Sequence, residues 1–252
     1  MRSKRKLKIT MKRKMLTRIN KYIADSGITS RRKAEDLILR GRVSVNDSVV
    51  DNLSFRINPD EDKVFIDGER IRSKRNVYYL LNKPRGVIST TSDEKNRKTV
   101  IDLINTKEKI YPVGRLDYNT TGVLLLTNDG EFSNLLTHPK NKVSKKYEVR
   151  LDRELGERDK LTLVKGVMID RKKGRFIDVR FINPTEKKSV EVECVEGRNR
   201  FVKKMFETLG YNVKRLNRSY FAGLKPGIPV GTYRELSKKE VQNIINKYSK
   251  QK

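Results

Sequence analysis

Several features are scarce in this chain, and each scarcity excludes a class of protein or site. Cys194 is the only cysteine, so no disulfide or cysteine-based metal site can be built within the chain. His138 is the only histidine, which excludes clustered histidine metal sites and leaves one candidate for a histidine-dependent mechanism. The densest apolar run, Val123–Thr127, is far too short to span a bilayer. The basic N-terminus lacks the apolar core of a secretory signal, so we expect a cytoplasmic protein.

Acidic residues are few beside the basic ones. The chain of 252 residues carries 59 Lys and Arg against 31 Asp and Glu, a formal net charge of +28. Self-repulsion on this scale works against a compact chain, so we expect a polyanionic partner, with nucleic acid as the first candidate. An anionic membrane surface is the weaker alternative, because no long apolar run accompanies the charge.

The first 72 residues predict a basic arm followed by a small domain. Residues 1–14 contain basic but no acidic side chains and are interpreted as a disordered arm. In residues 15–72, apolar residues recur at helical spacing up to Gly27, and Ser30 is placed to cap a second helix that Gly41 ends. Residues 63–71, with Asp67-Gly68 at the centre, predict a hairpin.

Three cations in the first turn of the second predicted helix are unfavourably placed. Arg31, Arg32 and Lys33 follow Ser30, where the helix dipole is already positive. Cations at this end of a helix destabilise it, and no neighbouring residue offsets the effect, which suggests a functional site. A bound phosphate would offset it, because helix N-termini favour anions. The alternative is that these long side chains simply extend into water.

This segment resembles the S4 RNA-binding domain. The resemblance rests on residues 18–23, 30–35 and 41–46, which read RINKYI, SRRKAE and GRVSVN. It implies two helices that present Arg31, Arg32 and Lys33 to structured RNA. S4 domains accompany many RNA-acting proteins, so the resemblance indicates a substrate class but no reaction.

Residues 76–248 alternate between strand and helix patterns. They predict a second, α+β domain with a mixed, mostly antiparallel sheet flanked by helices and loops. The predicted strands are Tyr78–Leu81, Val123–Thr127, Tyr147–Leu151, Arg175–Phe181 and Val190–Val195, and the predicted helices are Asn199–Leu209 and one that Ser237 and Glu240 cap.

A polar loop bracketed by glycines, residues 111–122, is the most informative stretch for chemistry. Arg115 and Asp117 stand two apart, so an extended segment places both side chains on one face. An arginine there would keep the carboxylate ionised, and an ionised carboxylate can act as nucleophile or base. From the residues alone, a structural salt bridge is the more common explanation of such a pair.

The run Gly114-Arg115-Leu116-Asp117, continued by residues 120–130, resembles the signature of pseudouridine synthases, and more narrowly of the branch with an N-terminal S4 domain that acts on ribosomal RNA. The resemblance implies that Asp117 is the catalytic carboxylate and that Arg115 pairs with it. It also implies that Tyr147 contacts the target base. Lys83, in a block that helps to shape the cleft, is predicted to bind RNA.

A further region of resemblance, residues 196–209, predicts an amphipathic helix. Arg200, Lys203 and Lys204 fall together on one face, next to an apolar face, and are predicted to bind RNA phosphates. The family implies a basic contact near the catalytic aspartate in this region. Phe201 departs from the family pattern, in which a polar residue is expected.

The sequence therefore predicts a monomeric synthase that isomerises a uridine of ribosomal RNA, in the large subunit, with no cofactor and no metal. Two alternatives stay open within the same substrate class: an RNA-binding ribosome assembly factor without catalysis, and a synthase acting on small-subunit RNA. A third, an S4-linked methyltransferase, would require a glycine-rich donor loop after a strand, and the sequence contains none.

Overall fold

A computed structural model describes residues 16–72 and 74–249, so the predicted basic arm, residues 1–14, lies outside the described residues. The chain divides into two compact units, residues 1–75 and 76–252. Each described unit has buried apolar clusters of its own. No helix in the described part of the chain is long and apolar enough to cross a membrane.

The first unit packs two helices on a small antiparallel sheet. The helices are α1 (Ile19–Asp25) and α2 (Arg31–Leu39). The strands are β1 (Thr17–Arg18), β2 (Val43–Val45), β3 (Ser48–Val49), β4 (Arg56–Ile57), β5 (Val64–Ile66) and β6 (Glu69–Ile71). The sheet order is β3-β2-β5-β6, and β1 pairs separately with β4.

Local signals in the first unit are confirmed. The Ser30 hydroxyl accepts a hydrogen bond from the Lys33 amide at 3.3 Å and caps α2. Asp67 and Gly68 both have positive φ, as a tight hairpin turn requires. The predicted helical spacing of Leu16, Ile19 and Ile23 is wrong at its first position, because Leu16 lies before α1 and is exposed.

The second unit is built on one large sheet. Its strands are β7 (Tyr78–Lys83), β8 (Tyr111–Pro112), β9 (Thr121–Thr127), β10 (Lys145–Leu151), β11 (Val167–Ile169), β12 (Lys172–Gly174), β13 (Asp178–Asn183), β14 (Glu186–Cys194), β15 (Val213–Phe221) and β16 (Tyr233–Glu235). Its helices are α3 (Gly130–Thr137), α4 (Glu157–Lys165), α5 (Phe201–Glu207) and α6 (Lys238–Ser249). The order β13-β14-β10-β15-β9-β7-β16 has β8 beside β9, and β11 pairs with β12 separately.

This sheet is mixed and mostly antiparallel, as predicted, because only the β15–β9 contact is parallel. Apolar side chains cover both faces. Leu124 and Leu126 of β9 belong to the core that contains α4 and α5, whereas Val123 and Leu125 belong to the core that contains α3 and α6. A strand buried on both faces explains the continuous apolar run that marks β9 in the sequence.

Most predicted boundaries differ from the observed ones by a few residues, and two of these differences have a local cause. The helix expected over Asn199–Leu209 begins only at Phe201, because Arg200 has a left-handed φ of 52°. The strand expected at Arg175 begins at Asp178, because the Phe176 amide binds the Leu163 carbonyl instead of a strand partner. The Ser237–Glu240 capping box is confirmed, with the Ser237 amide 2.8 Å from the Glu240 carboxylate.

Candidate active site

Asp117 lies in the loop between β8 and β9, at a turn of fixed geometry. The Thr120 amide donates to the Asp117 carbonyl at 3.0 Å, which closes the turn just before β9. On the other side, the Ser89 hydroxyl donates to the Leu116 carbonyl at 2.9 Å. The loop is therefore held by hydrogen bonds at both ends, and the half-buried Asp117 carboxylate is carried on a rigid support.

The Asp117 side chain borders a cavity of about 150 Å³. Its wall combines the loop before β9, the strands β10 and β15, and the start of α5. The charged and aromatic residues of the wall are Arg115, Asp117, Lys145, Tyr147, Glu196, Arg198, Arg200, Phe201, Arg218 and Phe221. The three predicted catalytic residues, Asp117, Arg115 and Tyr147, are thus brought to one cavity, together with Arg200.

Lys203 of α5 is the ion-pair partner of Asp117. Its Nζ lies 2.7 Å from Asp117 Oδ2, and its side chain is 17% exposed. The apolar face of α5 is buried in the core, and Lys203, on the neighbouring face, reaches the Asp117 carboxylate. Arg115 also lines the cavity, but it is exposed and makes no ion pair with Asp117 in the described part of the chain. The contact that the resemblance assigned to Arg115 is therefore made by Lys203.

The prediction that Lys83 binds RNA is wrong. The lysine side chain is fully buried at the end of β7. Its Nζ donates to the carbonyl oxygens of Pro84, Asp117, Tyr118 and Thr120 at 3.0–3.4 Å. Burial lowers the pKa of Lys83 to about 8, and the charge of Asp117 opposes this shift. Lys83 thus organises the turn that carries Asp117 and is inaccessible to a phosphate.

Tyr147 forms part of the cavity wall from strand β10. It is 9% exposed, so the ring is almost entirely enclosed while one part borders the cavity. Burial raises the pKa of Tyr147, and the charge of Arg218 opposes that rise. The hydroxyl is therefore neutral at physiological pH, and the ring is suited to packing against a planar base.

The other two cations predicted on α5 are engaged with acids. Arg200 Nη2 lies 2.8 Å from Glu207 Oε1, and Lys204 Nζ lies 2.6 Å from Asp170 Oδ2. Arg200 is half exposed and lines the cavity, so it remains accessible to a ligand. Lys204 is directed to the β11–β12 turn instead.

Three basic residues of the cavity wall were not predicted: Lys145, Arg198 and Arg218. The strand around Arg218 contained a usable signal, because Leu216 and Arg218 are two apart and share the inward face of β15. Arg198 donates to the carbonyls of Ile169 and Lys172 and pairs with Glu196 at 2.7 Å, so it fastens the β11–β12 hairpin.

The cations predicted on the first unit are exposed. Arg31, Arg32 and Lys33 occupy the first turn of α2, and no acidic side chain of the described residues pairs with them. The helix N-terminus and three unpaired cations form a surface suited to phosphate.

Comparison with known proteins places both units in families. Residues 77–208 match the family model of RNA pseudouridylate synthase, and residues 17–63 match that of the S4 domain. The chain is 40% identical to the ribosomal large subunit pseudouridine synthase B of Bacillus subtilis, over 91% of this chain and 96% of that one. It is 37% identical to an RNA pseudouridine synthase of Aquifex aeolicus, over 92% of this chain and 94% of that one.

A solved structure has the same fold over nearly the whole chain. The crystal structure of a pseudouridylate synthase superposes with a TM-score of 0.65 and 26% sequence identity, covering 90% of this chain and 99% of that one.

Proposed function

The chain belongs to the RNA pseudouridine synthase family, and we propose that it converts a specific uridine of large-subunit ribosomal RNA to pseudouridine without a cofactor. The observation that carries this proposal is the Asp117 carboxylate, held 2.7 Å from Lys203 in the cavity that Tyr147 borders. The name of the Bacillus subtilis relative supports the large subunit as the source of the substrate. We expect the protein to act as a monomer in the cytoplasm.

The reaction needs a group that initiates cleavage of the bond between C1′ and N1, and Asp117 supplies it. An ionised carboxylate can do so by attacking carbon or by removing a proton. Lys203 orients the carboxylate through the charge-assisted contact between its Nζ and Asp117 Oδ2. Lys83 holds the backbone of the same turn through its contacts with the Asp117 and Thr120 carbonyls. The carboxylate is thus preorganised before the RNA arrives.

The target base must leave the RNA stack to reach Asp117. Tyr147 supplies an aromatic wall against which the extracted uracil packs. Arg115 and Arg200, which are exposed at the cavity, are placed to contact the flanking phosphates. In the first unit, Arg31, Arg32 and Lys33 bind the backbone of structured RNA.

The test is pseudouridine mapping on unmodified large- and small-subunit ribosomal RNA. Each RNA is incubated without cofactor with wild-type protein or with Asp117→Asn, treated with carbodiimide and read by primer extension. We expect a new stop on large-subunit RNA with the wild type alone. Asp117→Asn keeps the size of the side chain but removes its charge, so equal binding of both proteins to the RNA is the control.

Each other outcome rejects a defined part of the proposal. Full turnover by Asp117→Asn would remove the catalytic role of this residue. A stop only on small-subunit RNA would reassign the substrate. Salt-sensitive binding without a stop on either RNA would favour a ribosome assembly factor without catalysis.

A further inference from the structure

Two basic side chains of the cavity wall, Arg218 and Lys145, have no acidic partner among the described residues. Arg218 is 3% exposed, and the Lys145 ammonium donates to two neutral carbonyls, those of Val143 at 3.0 Å and Val195 at 3.2 Å. The acids of the same wall are already used, since Asp117 pairs with Lys203 and Glu196 pairs with Arg198. The inner wall therefore holds positive charge that the described protein does not neutralise.

Arg218 is held in place but incompletely hydrogen-bonded. Its Nε donates to the Val123 carbonyl at 2.7 Å, and its guanidinium stacks on the Phe221 ring with the carbon 4.4 Å from the ring centroid. Its Nη2 atom is buried without a hydrogen-bond partner among the described residues, although the guanidinium also interacts with the neutral Tyr147 side chain. A buried charged donor left unpaired is destabilising, so its retention in a cavity indicates that a ligand supplies the acceptor.

The position of Arg218 distinguishes between two acceptors that RNA offers. Phosphates carry a full negative charge but remain at the solvent-exposed surface, where Arg115 and Arg200 lie. An extracted base enters the cavity itself, where the side chains of Arg218 and Tyr147 are buried in the wall. A base oxygen is therefore the acceptor that the burial of Arg218 favours.

The proposed reaction creates negative charge on that base. When the C1′–N1 bond breaks, its electron pair stays on N1, and the charge spreads over N1 and the carbonyl oxygens O2 and O4. The C5 atom then bonds to C1′, C5 loses its proton, and N1 gains one, so the uracil becomes neutral again. A cation fixed beside the ring stabilises the intermediate charge without reorganisation.

We propose that Arg218 is a catalytic residue that donates hydrogen bonds to a carbonyl oxygen of the detached uracil and stabilises its negative charge. Lys145 lies on β10, opposite Phe221 of the neighbouring strand β15. It adds positive charge to the same wall. The inference rests on the proposed function and extends it from the carboxylate that starts the cleavage to the group that receives the departing base.

The experiment compares single-turnover rates of wild type, Arg218→Met, Arg218→Lys and the exposed control Arg215→Met from the same strand. The substrates are large-subunit RNA fragments with uridine or 5-fluorouridine at the mapped position, and the disappearance of the N-linked nucleoside is followed after nuclease digestion. RNA affinity and thermal unfolding are measured for every variant. Fluorine withdraws electrons and stabilises the base anion by itself, so it reduces the need for Arg218.

We expect Arg218→Met to lower the rate on uridine by roughly 10²–10³-fold, as loss of a donor to a developing anion does elsewhere, with RNA affinity unchanged. The defect should shrink with 5-fluorouridine, Arg218→Lys should recover part of the rate, and Arg215→Met should match wild type. A wild-type rate in Arg218→Met, a loss explained wholly by weaker RNA binding, or an equal defect on both bases without rescue by lysine would overturn the inference. Failure of the proposed function is seen separately, as an absence of turnover by the wild type.

Discussion

The Nζ atom of Lys203 lies 2.7 Å from Oδ2 of Asp117, although 86 residues separate the two in the chain. The pair joins the loop before β9 to helix α5. Replacing Lys203 with methionine removes the cation and leaves the carboxylate without its orienting partner. We expect the turnover rate to fall roughly tenfold to hundredfold, because a small displacement of a reacting group is enough for such a loss.

Lys203→Arg should retain most of the rate, since it keeps the charge. Lys214→Met, an exposed change on β15, is the matched control. Single-turnover pseudouridine formation at saturating protein is the measurement. Equal rates for Lys203→Met and Lys214→Met would show that the ion pair has no part in turnover.

The second prediction concerns the contribution of Lys83 to the stability of the fold. Its ammonium group is buried with four carbonyl acceptors, and Lys83→Met removes this donor from all four, although the Asp117 and Tyr118 oxygens keep a backbone amide donor. We expect the free energy of unfolding to fall by about 2–4 kcal/mol. Turnover should fall as well, because the turn that carries Asp117 loses its support. Urea denaturation measures the first effect, and the exposed Lys165→Met of α4 should leave it unchanged.

Because the pKa of Lys83 is lowered in the folded protein, we also expect the stability of the fold to depend on pH. Burial lowers the pKa of Lys83 from 10.5 to about 8 in the folded protein. Between these values the unfolded chain holds a proton that the folded chain lacks, so raising the pH across this window stabilises the fold. Lys83→Met lacks this gain, and its deficit in unfolding free energy should widen as the pH rises. A constant deficit in denaturation curves across the window would mean that Lys83 stays charged.

Gly122 is required where β9 approaches β15. It has a φ of 106°, and a Cβ atom at this position would lie 2.3 Å from the Arg218 carbonyl oxygen. Gly122→Ala must therefore push apart the only parallel strand contact in the large sheet, and we expect a loss of more than about 3 kcal/mol. Thermal unfolding measures this change. Gly197→Ala is the control for unfolding, because no atom lies within 4 Å of its Cβ position. Similar melting curves for the two variants would contradict the prediction.

The cations of α2 should determine part of the salt dependence of RNA binding. Changing Arg31, Arg32 and Lys33 together to glutamine should weaken binding and lower the slope of log affinity against log salt by about 2–3. Stability should not fall, since cations in the first turn oppose the helix dipole. Lys238→Gln with Lys239→Gln, in the first turn of α6, is the control. Filter binding over a salt series is the measurement, and an unchanged slope would place the RNA contact elsewhere.

Features that depend on neighbouring residues were predictable. The Ser30 cap, the Asp67-Gly68 turn and the Ser237–Glu240 capping box are each formed within a few residues, and the structure confirms them. The apolar run of β9 also identified a buried strand, and the motif around Asp117 identified the family.

Contacts between distant residues were decided by the tertiary structure. Arg115 is the nearest cation to Asp117 in sequence, but the packing of α5 brings Lys203 to the carboxylate. Lysine side chains usually lie at the protein surface. Lys83 can be buried because backbone carbonyl oxygens of the Asp117 turn accept hydrogen bonds from its Nζ. Arg218 reaches the cavity because β15 pairs with β9 beside Gly122. A local sequence encodes the hydrogen bonds that a short segment makes with itself, whereas the environment of a charge depends on which segments the core packs around it.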